Sequence, residues 1–457
     1  MSNQNNIKTA DSSSNAVRLL ITRLHFYVGL FVGPFIFVAA LTGVFYIVTP
    51  QLESALYKEV LTTQSSGEYK TLTEQIAAAK SNLNEELTLF AVRPAPEQGD
   101  TTRIMFLDPS AGLSGARALF IDPVTLALKG NLPVYGTSGI LPFRTTIDYL
   151  HRQLLLGEFG RYYSELAASW LWFTAFGGLF IWIKGGKQNQ AKFASRTVFL
   201  SKRRRHGQLG LILFIGLLFV SATGLTWSKW AGGNIGEVRK TLGWVTPSVS
   251  LSLTSETLPM DEHAEHKHHS SHVNEPKAPI TNEHLFDQVL AVARAAGIDA
   301  NKLEIKPPKS ADKAWFVREI DRSWPTQVDS VAVDPRNMKV ISRSDFASFP
   351  VVAKLIRWGI DAHMGILFGV ANQILLTVFG LALCLMIIWG YKMWWMRRPA
   401  AGQTAKPLLQ AWNKLPPKGK LVSLIVAILL SACLPVMGVS LIVFLLIDAW
   451  RWQQLAK

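Results

Sequence analysis

The chain has 457 residues, 49% of them hydrophobic, with 15 Trp, 24 Phe and a formal net charge of +15. That content, with a mean hydropathy of +0.20, is too apolar for an ordinary soluble protein and points to a multi-spanning membrane protein. The basic residues cluster beside apolar runs, as topology signals do, which sets nucleic acid aside. The two cysteines, Cys384 and Cys433, exclude a disulfide framework and a Cys-x-x-Cys-His haem attachment.

In chain order, a polar tail (1–18) precedes a first predicted span (19–48), whose apolar run covers 26–48 and is too long for a cleavable signal peptide. The hydrophilic segment 50–150 reads as a small α+β unit. TLTEQIAAAKSNL has helical spacing, and LTLFAVRP, TRIMFLD and ARALFID are strand-like. A second span lies in 151–184, with its apolar run at 164–183, and a basic loop (185–205) leads to a third span at 206–227. Segment 228–355 repeats the α+β pattern with EHLFDQVLAVARAAG, then KLEIKPP, AWFVREI and DSVAVD. The fourth span lies in 356–396, apolar over 370–396, and a second basic loop (397–420) follows. A last hydrophobic segment, 421–450, is broken by Pro435 and reads as a tight helical hairpin rather than one tilted span. A hairpin returns Trp450, Arg451 and Trp452 to the cytoplasmic side, where such anchors belong.

Residues 184–205 carry eight Lys or Arg and no acid, and 397–420 carry six and none. The positive-inside rule places both loops, and the N-terminus with Arg18 and Arg23, in the cytoplasm. The two α+β segments are then expected outside, in a periplasm if the cell is Gram-negative.

The halves of the chain are duplicates. RLHFYVGLFVGPFIFVAALTG (23–43) aligns without gaps on RRHGQLGLILFIGLLFVSATG (204–224), setting His25 on His206, Gly29 on Gly210 and Thr42-Gly43 on Thr223-Gly224. An offset of 212 sets Asp122 on Asp334, His151 on His363, Gly157 on Gly369, Gly178 on Gly390 and Trp182 on Trp394. Both halves begin on the same side, so the repeats are parallel and related by a pseudo-two-fold axis along the membrane normal.

That axis puts His25 and His206 at one depth near the cytoplasmic face, and His151 and His363 at one depth near the external face. A lone interfacial histidine is usually an ordinary amphipathic residue. Two symmetric pairs, each able to converge near the axis, fit bis-imidazole ligation of a haem iron. Gly29, Gly33, Gly207 and Gly210 would leave room for a flat macrocycle, and Arg23, Arg152 and Arg203 to Arg205 could pair with propionates. Without thioether-forming cysteines the two haems would be b-type, with no catalytic residue separate from the ligands. Haem-free proton or metal-ion transport through the same histidines is the alternative within the site.

LHRQLLLGEFGR, the AHMGILFG…WGYKMWWMRRP block and the paired IDP and VDP turns resemble the PepSY-associated transmembrane family over about residues 18 to 450. The family includes iron-regulated inner-membrane proteins and siderophore-iron reductases of the FoxB type. The resemblance implies periplasmic PepSY domains, b haems and reduction of ferric siderophores to release Fe(II). No Gly-rich dinucleotide fingerprint is present, so the electron donor, quinol or a soluble reductase, is expected to be external. Electrons would pass from the His25/His206 centre to the His151/His363 centre and on to the ferric chelate. Trp315, Trp324 and Arg322 are read as exposed loop residues of the external domains. A different reading makes the chain a membrane-anchored PepSY protein that binds or restrains periplasmic peptidases, which leaves the symmetric histidines without a purpose.

HAEHKHHSSH (263–272), with His263, His266, His268, His269 and His272, holds five of the ten histidines. It has no counterpart in the first half and lies in the proline-flanked linker 261–273. It is read as a solvated insertion, at most an accessory site for a divalent ion.

Overall fold

The computed structural model describes residues 2–136, 139–189, 198–253, 282–397 and 408–456; the histidine tract lies outside the described residues. Helices α1 (Ser2–Phe31), α2 (Gly33–Ile47), α3 (Thr49–Leu56), α4 (Lys58–Leu61) and α5 (Leu72–Ser81) precede strands β1 (Thr88–Arg93), β2 (Thr102–Leu107), β3 (Ala116–Ile121) and β4 (Leu128–Val134). Helices α6 (Pro142–Gln153), α7 (Gly157–Asn189), α8 (Val198–Thr226), α9 (Trp230–Thr241) and α10 (Phe286–Ala295) come next. Strands β5 (Leu303–Lys306), β6 (Trp315–Glu319), β7 (Ser330–Asp334) and β8 (Lys339–Ser344) follow. The chain continues as α11 (Val351–His363), α12 (Gly369–Arg397), α13 (Leu408–Asn413), α14 (Pro417–Cys433) and α15 (Pro435–Ala456). Two compact units result: a helical one from Met1–Phe45, Tyr149–Leu242 and Ile374–Lys457, and a sheet one from Tyr46–Asp148 and Gly243–Gln373.

In the helical unit, Gly157–Gly185, Val198–Thr226, Gly369–Arg397 and Pro435–Gln454 are long and apolar enough to cross a bilayer. Asn15–Phe31 and Gly33–Ile47, bent by 56°, make a fifth span if counted together. The protein is therefore a membrane protein. Ile212, Ile215 and Val378 stay exposed on the outer faces of these helices, where lipid replaces water.

The first span, expected to run straight through 19–48, is broken at Val32. Pro34 has no N–H to give the Leu30 carbonyl four residues back, and its ring crowds that turn. The Tyr391 hydroxyl donates to Leu30 O at 2.6 Å and satisfies the carbonyl that proline leaves bare. Val28, Val32, Ile36, Trp170, Leu213 and Phe444 form part of the bundle core.

Helices α14 and α15 double back at Leu434. Near the end of α15, Asp448 accepts from Leu408 N and Leu409 N, both at 2.7 Å, and from Tyr27 Oη at 2.5 Å. A straight α14–α15 rod would hold Asp448 about 45 Å from Pro417 at 1.5 Å per residue, whereas the few residues from Leu409 to Pro417 reach at most about 28 Å. At the turn, the Ala432 and Cys433 carbonyls both accept from Asn234 Nδ2 at 3.1 Å.

In the sheet unit, what the sequence suggested as two separate α+β units is one eight-stranded antiparallel sheet ordered β4-β3-β2-β1-β5-β6-β7-β8. The halves join at β1 and β5, with Val92 opposite Ile305. On one face, α5 and α10 pack over a shared core that includes Ile76, Ile104, Leu119, Phe286, Val289, Ile305, Trp315 and Val331. Asp287 of α10 accepts from Leu72 N at 2.7 Å and Thr73 N at 3.1 Å, capping the N-terminus of α5 across the two halves.

On the opposite face Glu304 is buried among Arg93 (2.6 Å), Arg318 (2.8 Å) and Lys306 (3.4 Å). Burial alone would raise its carboxyl, but Arg318, Arg93 and Lys306 hold it well below the usual carboxylate range. Arg103 lies on this face too; burial and then Arg93 pull its guanidinium down to about 10, still protonated at neutral pH.

The duplication extends to the turns. Asp122 Oδ1 accepts from Val124 N at 2.9 Å, and Asp334 Oδ1 from Arg336 N at 2.9 Å. Each turn also closes through a left-handed residue, Leu126 (φ 62°) and Met338 (φ 52°), which the offset of 212 superposes.

Candidate functional site

His206, on α8, points its Nδ1 at the Met386 carbonyl of α12, 3.0 Å away. A carbonyl only accepts, so Nδ1 carries the proton and Nε2 keeps its lone pair. His25, on α1, faces the carbonyl of Thr174 on α7, the position the offset of 212 sets on Met386. Its contact is not closed to hydrogen-bond geometry, and Nδ1 remains buried without a partner.

Both rings lie against a glycine of the second helix. A Cβ at Gly178 would sit 3.3 Å from His25 Cε1, and one at Gly390 would sit 3.7 Å from His206 Cε1. These two glycines were visible in the sequence only as marks of the repeat. In the fold they let each imidazole come close to its neighbouring helix. His25 and His206 are close enough for a charge on one to be felt by the other.

His151, in the last turn of α6, repeats the arrangement. Thr42 Oγ1 donates to Val38 O at 2.7 Å and lies 3.1 Å from His151 Nδ1. A Cβ at Gly43 would meet His151 Cε1 at 3.3 Å, and Tyr163 Oη donates to the His151 carbonyl at 3.0 Å. His151 belongs to the helical unit. His363, the last residue of α11, belongs to the sheet unit.

The turns after these histidines place two glycines that the repeat also superposes. Gly157 (φ 58°) opens α7 and Gly369 (φ 55°) opens α12, both in the left-handed region that a side chain disfavours.

Arg23 donates to Gln410 Oε1 at 3.2 Å, and Arg152 lies over the Tyr149 ring with 5.6 Å to its centroid. Of the glycines expected to make room beside the histidines, Gly207 packs on Trp182 Cδ1 (2.9 Å), Gly33 on Tyr391 (3.5 Å) and Gly210 on Met386 Sδ (3.5 Å); Gly29 faces open space. The first three are helix-packing positions. Arg203 to Arg205 lie in the first turns of α8.

Trp315 is no loop residue. It is a core residue of β6, set edge-on to Phe286 at 4.7 Å, because the strand's period of two turns it toward α10. Arg322 is half-buried against the buried Asp361, whereas Trp324 is 56% exposed.

Among the described residues, no three His, Cys, Asp or Glu side chains gather to hold a metal ion. The candidate donors that remain are imidazoles, of which His206 turns its Nδ1 to the Met386 carbonyl and keeps the lone pair on Nε2. That suits an iron whose other ligands come from a macrocycle, and it does not suit a tetrahedral protein-only site.

The model of the PepSY-associated TM region matches residues 22–397. The chain belongs to this family. The match takes in His25, His151, His206 and His363, together with the whole eight-stranded sheet. No curated protein matches the chain significantly. A PepSY-associated TM protein is a membrane protein, in agreement with the apolar helices.

Proposed function

We propose that this PepSY-associated TM protein is a di-haem b oxidoreductase of a bacterial inner membrane. It would carry electrons from a cytoplasmic or quinol donor to the periplasmic side, where a ferric siderophore is reduced and Fe(II) released. The observation that carries the reading is the equivalence of His25 on Gly178 and Thr174 with His206 on Gly390 and Met386. Two helical repeats each present one imidazole beside an equivalent residue of the next helix, Thr174 or Met386, and a span that only anchors a domain needs neither.

His25 and His206 would hold the inner group. His151 and His363, paired by the repeat alignment, would hold the outer one. When bound there, haem supplies reversible one-electron chemistry. This chain's residues do the rest. Met386 O fixes the tautomer of His206, and Thr42 Oγ1 orients His151. Gly178, Gly390 and Gly43 let the rings approach their helices, and Trp170, Leu213 and Phe444 keep the interior dry. Lowering the iron's charge weakens its hold on hard oxygen donors, which releases the metal without destroying its carrier.

The purified chain from haem-replete cells should show a b-type Soret band that shifts on dithionite reduction. His151→Ala should lose both part of that band and siderophore-dependent iron uptake. Uptake that persists in His151→Ala would instead favour a membrane anchor for a peptidase-binding sheet domain.

A further inference from the structure

Helix α8 carries three consecutive arginines, Arg203, Arg204 and Arg205, all exposed, just ahead of the apolar part of its span. Exposed residues then continue along one side of the helix. Arg204, Arg205, Gln208, Leu211, Ile212 and Ile215 follow at steps of one, three, three, one and three, the spacing of a single helical face. Ile212 is 76% exposed and Ile215 72%.

The other sides of α8 are occupied by protein. His206 meets Met386 O of α12, and Arg397 of α12 lies over the Phe199 ring, 3.8 Å from its centroid. Trp182 of α7 packs on Gly207, and Leu213 and Leu217 are buried. Arg204 is two residues from His206, which sets it roughly 160° round the helix from that imidazole. The strip is therefore the side of α8 turned away from both neighbouring helices.

The chain offers the strip no counter-charge nearby in sequence. No Asp or Glu occurs from 166 to 236 or from 374 to 447. Asp448 already accepts from Leu408 N, Leu409 N and Tyr27 Oη, and Glu165 accepts from Trp230 N and Ala231 N at the other end of α8. No hydrogen bond or ion pair engages Arg204 or Arg205 among the described residues.

A strip that is cationic for one turn and apolar for the next two has the profile of a membrane lipid. Arg204 precedes Ile212 by about 12 Å at 1.5 Å per residue, which sets the guanidinium at headgroup depth when the isoleucines lie in hydrocarbon. A soluble acidic partner could reach the arginines but not the apolar length of the strip.

We propose that Arg204 and Arg205 hold the phosphate of an anionic phospholipid in the leaflet at this end of the bundle, with its acyl chains along Leu211, Ile212 and Ile215. A guanidinium gives a phosphate two parallel N–H donors where an ammonium gives a point charge, so an adjacent pair of arginines suits this headgroup better than lysines would. Gln208, one turn further in, supplies an amide at the level of the ester linkages. The site uses none of the histidines, so it stands or falls apart from the haem reading.

The test uses the full-length chain in detergent, titrated with phosphatidylglycerol or with phosphatidylcholine of the same acyl chains, with bound lipid counted by native mass spectrometry. The wild type should bind its first phosphatidylglycerol about tenfold more tightly, as expected for two cations close to an anionic headgroup. In Arg204→Gln/Arg205→Gln the two lipids should bind equally, whereas Arg204→Lys/Arg205→Lys should keep part of the preference. With two of the eight basic residues of 184–205 replaced, six remain to hold the topology, and the unfolding temperature in detergent checks the fold. Arg204→Gln alone should lose part of the preference if the double variant does not fold. Arg397→Gln, on another side of α8, should leave it intact.

Equal affinity of the wild type for the two lipids would overturn the assignment, as would a preference that survives in the folded double variant. An equal loss in Arg397→Gln would also overturn it, giving the effect to the net charge of this end of the bundle. Displacement of the lipid by glycerol phosphate, which has the headgroup but no chains, would do the same and make the arginines a site for soluble phosphate.

Discussion

His25 and His206 hold the same place in the two repeats and lie against equivalent helices, α7 and α12, yet they differ in one bond. His206 closes on the Met386 carbonyl at 3.0 Å, whereas the His25 ring lies by Thr174 with its Nδ1 left without a hydrogen-bond partner. Gly178 approaches the His25 ring more closely than Gly390 approaches His206, at 3.3 Å against 3.7 Å for a built Cβ. Duplication has kept the backbone frame while leaving the last few tenths of an ångström to local packing. The sheet unit shows the same contrast, because the Asp122 and Asp334 turns agree even to the left-handed residue, while Glu304 at the β1–β5 seam serves the first half's Arg93 and the second half's Arg318.

The largest effect that would break this comparison is loss of an axial ligand. His25→Ala and His206→Ala should each remove about half of the bound haem, measured by pyridine haemochrome against protein, and they should do so equally if both belong to one centre. Unequal losses would mean that the two histidines do not share an iron.

In the sheet, Glu304→Gln strips the carboxylate from a buried cluster that keeps Arg93, Arg318 and Lys306. Breaking such a cluster costs about 3–5 kcal/mol, visible as a lower unfolding temperature. A change within about 0.5 kcal/mol would show that the seam does not depend on it.

Acid should narrow the gap between wild type and Glu304→Gln. The folded pKa of Glu304 is depressed, so its contribution is complete above the unfolded carboxylate value of about 4.3 and is lost as pH falls through the folded value. Unfolding temperatures at pH 7 and pH 3 check the sign, and a gap that widens in acid would reverse it.

The smallest effect lies at the histidine-facing glycines. Gly178→Ala should displace the His25 ring by a few tenths of an ångström and alter the low-spin haem spectrum. Gly390→Ala should leave that spectrum nearly unchanged, since its Cβ makes an ordinary contact. Identical spectra for the two variants would erase the asymmetry.

Much of this architecture was legible in the sequence because it rests on periodicity and repetition. Apolar runs long enough to span announce themselves, and one offset, 212, ties Asp122, His151, Gly157 and Gly178 to their counterparts. The bend at Val32 was signalled by Gly33-Pro34 but hidden inside a run that stays apolar on both sides. The fusion of two α+β segments into one sheet was not legible, because a strand's sequence records which face is buried and not which edge it pairs. Trp315 and Arg322 were misplaced for a related reason: burial of an aromatic or a guanidinium depends on partners such as Phe286 and Asp361, distant in sequence. The oxygen partners of the histidines were equally out of reach, since one is a backbone carbonyl and the other is Thr42, noticed only as part of a repeat.

The central claim is that two pairs of imidazoles hold two haems, and it is tested most directly by the haem-to-protein ratio of the purified full-length chain from haem-replete cells. The pyridine haemochrome should give about two b-type haems per chain, with bis-imidazole low-spin spectra. A colourless protein, or one that binds a divalent metal at these histidines without a macrocycle, would contradict it.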